Sequence, residues 1–151
     1  MKKFLDTIDR RGVVWIAGIV GVSLDLLGSL ISAVTYRGRL GEPYSPLNHF
    51  VSELGELHVA PMAVAFNAGL LLGGLCLTVF LIGLGRRIGG WTGALFAVGG
   101  AACGISGALV GVFPMNNLAP HITWAMRFFN LGLLMMAIFS VLALSIQPLI
   151  S

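Results

Sequence analysis

The chain has 151 residues, of which 57% are hydrophobic and 10% are charged, and its formal net charge is +3 at pH 7. A soluble domain carries about a quarter charged residues, so a chain this apolar cannot cover itself with a hydrated surface. The composition excludes a soluble domain, and the scattered Lys and Arg residues form no basic stripe of the kind that binds nucleic acid. We expect one membrane domain over residues 1–151, with membrane lipids as partners and no cofactor.

Four stretches are long and apolar enough to cross a bilayer, which takes about 20 residues per helix. They cover residues 13–34, 61–85, 90–113 and 122–146. The first is longer than an ordinary signal-peptide core, so we expect it to remain in the protein. The sequence therefore predicts an all-α polytopic membrane protein, a bundle of four transmembrane helices.

Lys and Arg residues in short loops indicate the orientation, because cytoplasmic loops carry an excess of them. One side of the predicted spans holds six basic residues, namely Lys2, Lys3, Arg10, Arg11, Arg86 and Arg87. The opposite side holds Arg37 and Arg39. This asymmetry predicts a cytoplasmic-membrane protein with both termini in the cytoplasm and with segments 35–60 and 114–121 outside.

The segment after the first span has a helical pattern. Ser45 and Pro46 suit the N-cap and first position of a helix, since proline loses no hydrogen bond there. Apolar residues then recur at helical spacing, and a glycine follows them: Leu47, Phe50, Val51, Leu54 and Gly55. The pattern predicts a short amphipathic helix over residues 46–54, with its apolar side towards the membrane. An ordinary amphipathic connector is the alternative.

The third span is rich in glycine. Gly100 with Gly104, and Gly107 with Gly111, have the small-xxx-small spacing that lets helix backbones approach closely in lipid. Tight packing within the chain is the first interpretation. The alternative is that this span forms the face of a homo-oligomer or of a larger membrane complex.

Polar residues inside the spans lie mostly in the outer half of the bilayer. Asp25 is near the midplane, and Arg127 in the fourth span is its candidate partner, although a long side chain can also extend towards the interface. We expect these residues and the polar side of the loop to form an outward-facing ligand pocket. Its candidate residues are Asp25, Tyr44, Asn48, Ser52, Glu53, Asn67, His121, Arg127 and Asn130. The alternative is that each polar group only ties two helices together.

Several short motifs stand in a recognisable order. Tyr44 and Asn48 precede Ser52-Glu53-Leu54-Gly55, Asn67 follows in the next span, and Gly111-Val-Phe-Pro114 precedes His121. From about Asp25 to Arg127 the chain resembles the uncharacterised membrane family catalogued as domain of unknown function 998. The resemblance implies no activity. It does imply that six residues match positions that the family pattern emphasises: Tyr44, Asn48, Ser52, Glu53, Pro114 and His121. Family members often have about six spans, so this chain is either a short, four-span member or one that needs a partner to complete the bundle.

Three functions compete. The first is a non-catalytic protein that binds a lipid headgroup or small amphiphile, or that is a subunit of a larger complex. The second is an intramembrane lipid hydrolase. It would use either zinc on His49, His58 and His121, although no compact zinc motif such as HExxH is present, or Ser52 as a nucleophile beside a histidine and an acid. The third is a proton or small-solute transporter that uses Asp25. No catalytic residue is assigned.

Overall fold

Four long helices make up most of the protein, whose computed structural model describes residues 11–146. These helices are α1 (Arg11–Thr35), α2 (Ala63–Ile88), α3 (Gly90–Val112) and α4 (Leu118–Ile146), and a short 3-10 helix, Val51–Gly55, lies between α1 and α2. Each long helix contains a stretch long and apolar enough to cross a membrane. The prediction of an all-α, four-span membrane protein is confirmed. Three of the basic residues used to predict the orientation lie outside the described residues: Lys2, Lys3 and Arg10.

The ends of the helices define two faces of the protein. The loop face carries the segment 36–62 between α1 and α2 and the connection 113–117 between α3 and α4. The opposite face, the turn face, carries the tight reversal between α2 and α3. That reversal depends on Gly89 and Gly90, whose φ angles of 72° and 60° suit residues without a side chain.

Each long helix packs on the helix that precedes it in the chain: α2 on α1, α3 on α2 and α4 on α3. Within residues 11–146, α1 and α4 share no comparable contact, so the four helices do not close into a ring. The closest approach joins α2 and α3, where Gly74 faces the backbone of Gly104 and Ala108, and Gly85 faces that of Gly93 and Ala97.

The glycines of α3 lie in contacts within the chain. Gly100 faces Leu81 of α2, Gly104 faces Thr78, and Gly111 faces Asn67. Gly107 faces the ring of Phe128 in α4. Since small residues let helices approach until their backbones touch, this glycine pattern is accounted for by the packing of α3 between its two neighbours.

The amphipathic helix predicted over residues 46–54 is replaced by a turn and the shorter 3-10 helix. The Ser45 carbonyl accepts the N–H groups of Asn48 and His49, and the chain then extends at Phe50, where φ is −72° and ψ is 146°. The Glu53 carboxylate accepts the Phe50 N–H, which would otherwise be free to bond within a continuous helix, and so begins a new helical turn at Val51. As a result, Leu54 turns into the protein, while Leu47 and Phe50 remain exposed.

The most enclosed apolar cluster lies beneath the loop face and not in the middle of the helices. It contains Tyr36, Leu54, Ala60, Ala63 and Phe66. The exposed residues of α1 and α4 are mostly large apolar side chains, as expected where lipid is the solvent. The protein is therefore most tightly organised where the connecting loop meets the helices.

Candidate functional site

The loop is fastened to the helices by side chains that reach its backbone. Ser32 of α1, which is fully buried, donates through Oγ to the Leu54 carbonyl at 2.7 Å. Asn67 of α2 donates through Nδ2 to the Gly55 carbonyl at 2.9 Å. A buried carbonyl without a hydrogen-bond partner lowers the stability of the fold by about 1–3 kcal/mol. These two bonds avoid that penalty and hold the end of the 3-10 helix against α1 and α2.

Glu53 joins the loop to the end of α1. Its Oε1 accepts the Phe50 N–H at 2.8 Å, and its Oε2 accepts the hydroxyl of Tyr36 at 3.1 Å. Tyr36 is buried, with 1% of its surface exposed. Both carboxylate oxygens of Glu53 are thus used within the protein, which gives this residue a bracing role.

The pKa of Tyr36 is raised to about 12, first by burial, then by the hydrogen bond and negative charge of Glu53, and last by the charges of Glu42 and Glu56. The raised pKa favours the folded state while the phenol is neutral, and this contribution is lost as the pH rises from about 10 to 12.

We therefore predict a titration midpoint for Tyr36 near pH 12 in a Tyr44→Phe variant, in which it is the single remaining tyrosine of two. Tyrosinate absorbance measures it. Adding Glu53→Gln should lower the midpoint, because the negative charge next to the phenol is removed. A midpoint near the ordinary value of 10.0 in the first variant would contradict the buried contact.

Three rings pack together at the start of the loop. The ring of Tyr44 meets that of Tyr36 edge-on at 5.7 Å between centroids and stacks on that of His49 at 5.8 Å. His49 Nδ1 lies 3.1 Å from the Ser45 nitrogen and 3.3 Å from the Ser45 carbonyl oxygen, and Nε2 lies 3.3 Å from Glu42 Oε1. Tyr44 and His49 therefore shape the loop.

The connection between α3 and α4 is tied to the same loop. The Asn116 side chain accepts the Leu57 N–H through Oδ1 at 2.7 Å and donates through Nδ2 to the Leu57 carbonyl at 3.0 Å. Ser52 Oγ contacts Met115 Sδ at 3.6 Å. Asn116 was absent from the candidate residues derived from sequence, because nothing in the pattern shows which backbone group an exposed amide will meet.

A pocket of about 350 Å³ opens where the loop, α2, α3 and α4 meet. We call it the loop-face pocket. Its walls are apolar apart from two residues, Ser52 and His121. It is lined by Phe50, Val51, Ser52, Phe66, Leu70, Gly107, Val110, His121, Ala125, Phe128 and Phe129. This volume lies near the lower end of the range of about 300–1,000 Å³ found for small-molecule sites, which are mostly apolar with a few polar groups.

His121 supplies an oriented polar group to this pocket. Its Nδ1 lies 2.8 Å from the Phe113 carbonyl, which can only accept, so in the neutral ring Nδ1 carries the proton and Nε2 is an acceptor. The residue is buried, with 7% of its surface exposed. The pocket is thus lined by aromatic rings, by the His121 imidazole and by the Ser52 side chain.

The structure brings Ser52 and His121 together at this pocket and places the other candidate residues elsewhere. Tyr44, Glu53 and Asn67 hold the loop, as described above. Asn48 and Asn130 are exposed on the surface. Arg127 lies with its guanidinium 4.8 Å from the centre of the Trp124 ring and forms no ion pair with Asp25 among the described side chains.

Asp25 lies between α1 and α2. Its Oδ1 is buried against Gly73 and has no hydrogen-bond partner in the described structure. The pairing with Arg127 expected from depth along the helices fails because α1 and α4 do not pack on each other. Asp25 is not among the residues that line the loop-face pocket.

The three histidines of the zinc hypothesis lie apart. His49 contacts Glu42, His121 contacts the Phe113 carbonyl, and His58 is exposed with a φ of 69°. Over residues 11–146, no group of three or more His, Cys, Asp or Glu side chains is placed to hold a metal ion.

Comparison with known proteins gives one match. The family model described as "Protein of unknown function (DUF998)" matches residues 15–149. No curated protein and no solved structure matches the chain. The resemblance noted from the loop motifs is thereby confirmed, and the match extends over all four helices.

Proposed function

We propose a function for this chain from its own geometry, because the chain belongs to the family described as protein of unknown function DUF998, a description that assigns no activity. The proposed function is non-catalytic binding of a small amphiphile by an integral membrane protein. The single observation that carries it is the loop-face pocket, an aromatic cavity with Ser52 and His121 as its polar groups.

The chemistry of the lining indicates which amphiphile fits. The rings of Phe66, Phe128 and Phe129 suit an apolar chain. His121 Nε2 is an acceptor and therefore suits a hydroxyl donor, and the Ser52 hydroxyl can donate or accept. The ligand class supported best is an uncharged lipid with a hydroxyl group at its head, such as a monoacylglycerol.

The test is binding of mono-oleoylglycerol to the purified protein in mild detergent, measured by native mass spectrometry. Ala125→Phe fills the pocket from α4 without changing any charge, and we expect it to weaken binding at least tenfold, about 1.4 kcal/mol. Ala143→Phe is the matched control, because Ala143 is exposed on the same helix outside the pocket lining.

Methyl oleate tests the polar contact, because its head has no hydroxyl to donate to His121. We expect the wild-type protein to bind it more weakly than mono-oleoylglycerol. Equal binding of mono-oleoylglycerol by the wild-type protein and by Ala125→Phe would overturn the proposal. So would the recovery of the protein only as one component of a larger complex in which the pocket is filled by another chain.

The other hypotheses have less support in the geometry. The three histidines proposed for zinc are separated, and Ser52 contacts a methionine sulfur instead of a base. The transport hypothesis depends on Asp25 and stays a prediction. In the proposed orientation the loop face is outside and both termini are cytoplasmic; Arg86 and Arg87 at the turn face support it through the positive-inside rule.

A further inference from the structure

A second cavity lies at the opposite end of the protein. It is a groove of about 680 Å³ at the turn face between α2 and α3, and we call it the turn-face groove. Arg86 and Arg87 line its head, and Ile82, Ala94, Ala97 and Val98 line the part that runs along the helices. Among residues 11–146, the side chains that line the groove include two arginines at its head and apolar groups along the rest.

The groove exists because small residues line it. Gly85, Gly93 and Ala97 bring α2 and α3 into backbone contact, which leaves no side chain to fill the space on the outer side of that contact. From Gly90 to Val98 the rise of α3 is about 12 Å at 1.5 Å per residue, so the apolar part extends well below the head of the groove.

Two tryptophans indicate that the head of the groove lies at the level of lipid headgroups. Trp15 of α1 and Trp91 of α3 are exposed at this end, where tryptophan is enriched in membrane proteins. The guanidinium of Arg87, which lines the groove, also lies 5.9 Å from the centre of the Trp15 ring. A positive head at the interface and an apolar groove beneath it match the shape and charge of an anionic phospholipid.

We propose that the turn-face groove binds an anionic phospholipid of the adjacent leaflet, with its phosphate at Arg86 and Arg87 and an acyl chain along Ala94 and Ala97. Each arginine near an anionic lipid surface contributes about fivefold to binding. This site is independent of the loop-face pocket, since the two lie on opposite faces and bind lipids of different charge.

The test compares phosphatidylglycerol and phosphatidylcholine with identical acyl chains, added to the protein in mild detergent and counted as adducts by native mass spectrometry. We expect a clear preference for phosphatidylglycerol. The double variant Arg86→Gln/Arg87→Gln should bind phosphatidylglycerol at least tenfold more weakly than the wild-type protein. Arg37→Gln should bind it as well as the wild-type protein does. Arg37 is the matched control because it is an arginine of the loop face, bonded to its own neighbour's carbonyl.

A second variant separates lipid binding from simple charge attraction. Ala94→Phe keeps both arginines and fills the apolar part of the groove, so we expect it to reduce phosphatidylglycerol binding at least fivefold. Equal adducts with the two lipids, or an equal loss in Arg37→Gln, would overturn the proposal. It would also be overturned if inorganic phosphate alone displaced the lipid signal while Ala94→Phe had no effect, because the site would then bind only a free anion.

Discussion

Gly74→Ala is expected to destabilise the protein by about 2–4 kcal/mol. A β-carbon at this position would lie 2.7 Å from the Ala108 α-carbon and from the Gly104 carbonyl oxygen. These are backbone atoms of α3, which cannot move aside as the end of a flexible side chain can. Relieving the clash requires the separation of α2 and α3, the closest pair of helices. The free energy of unfolding in mixed micelles measures the effect.

Gly132→Ala is the control for this change. Gly132 also lies within a membrane-spanning helix, α4, but a β-carbon there would meet only Cys103 Sγ at 3.7 Å, an ordinary contact. Since alanine favours a helix by about 1 kcal/mol over glycine, we expect Gly132→Ala to be neutral or stabilising. Equal losses in the two variants would show that backbone contact between α2 and α3 does not limit stability.

Glu53→Ala is expected to release the loop, with a loss of about 2–3 kcal/mol of local stability. The change removes the acceptor of the buried Tyr36 hydroxyl and that of the Phe50 N–H at the same time. Hydrogen exchange of the loop amides measures it, and a loss of this size raises the exchange rate at least tenfold.

Glu56→Ala is the same chemical change three residues further along the loop. Its ion pair is with Arg39, whose side chain is 75% exposed, so solvent screens the interaction and its loss should cost less than about 1 kcal/mol. If both variants accelerated exchange equally, the bracing role of Glu53 through Tyr36 would be refuted.

The membrane spans can be predicted from the sequence, because the thickness of the bilayer sets the length of apolar helix that crosses it. The predicted stretch 90–113 corresponds to Gly90–Val112, and 13–34 lies within Arg11–Thr35. The start of α4 is predicted at residue 122 and lies at Leu118, because Pro120 and His121 interrupt the apolar run, whereas a proline is tolerated in the first turn of a helix.

The residues of the pocket can be predicted only in part. The sequence gives the depth of a residue in the membrane but not the direction in which its side chain points. Ser52 and His121 share a depth and a direction, and both line the loop-face pocket. Arg127 and Asn130 have a suitable depth but face outward on α4. The predicted loop helix is interrupted for a different reason: the Glu53 side chain bonds to the Phe50 N–H, and the segment is divided there into a turn and a 3-10 helix.

The order in which the helices pack has a consequence for folding. Because each helix packs on the one synthesised just before it, the contacts across the membrane join segments close in sequence, and such low contact order favours rapid assembly. The loop-face pocket is different, since the bonds that hold its loop to the α3–α4 connection span 59 residues of chain. We expect the helices to associate in sequence order during synthesis and the pocket to form last, once α4 has been inserted.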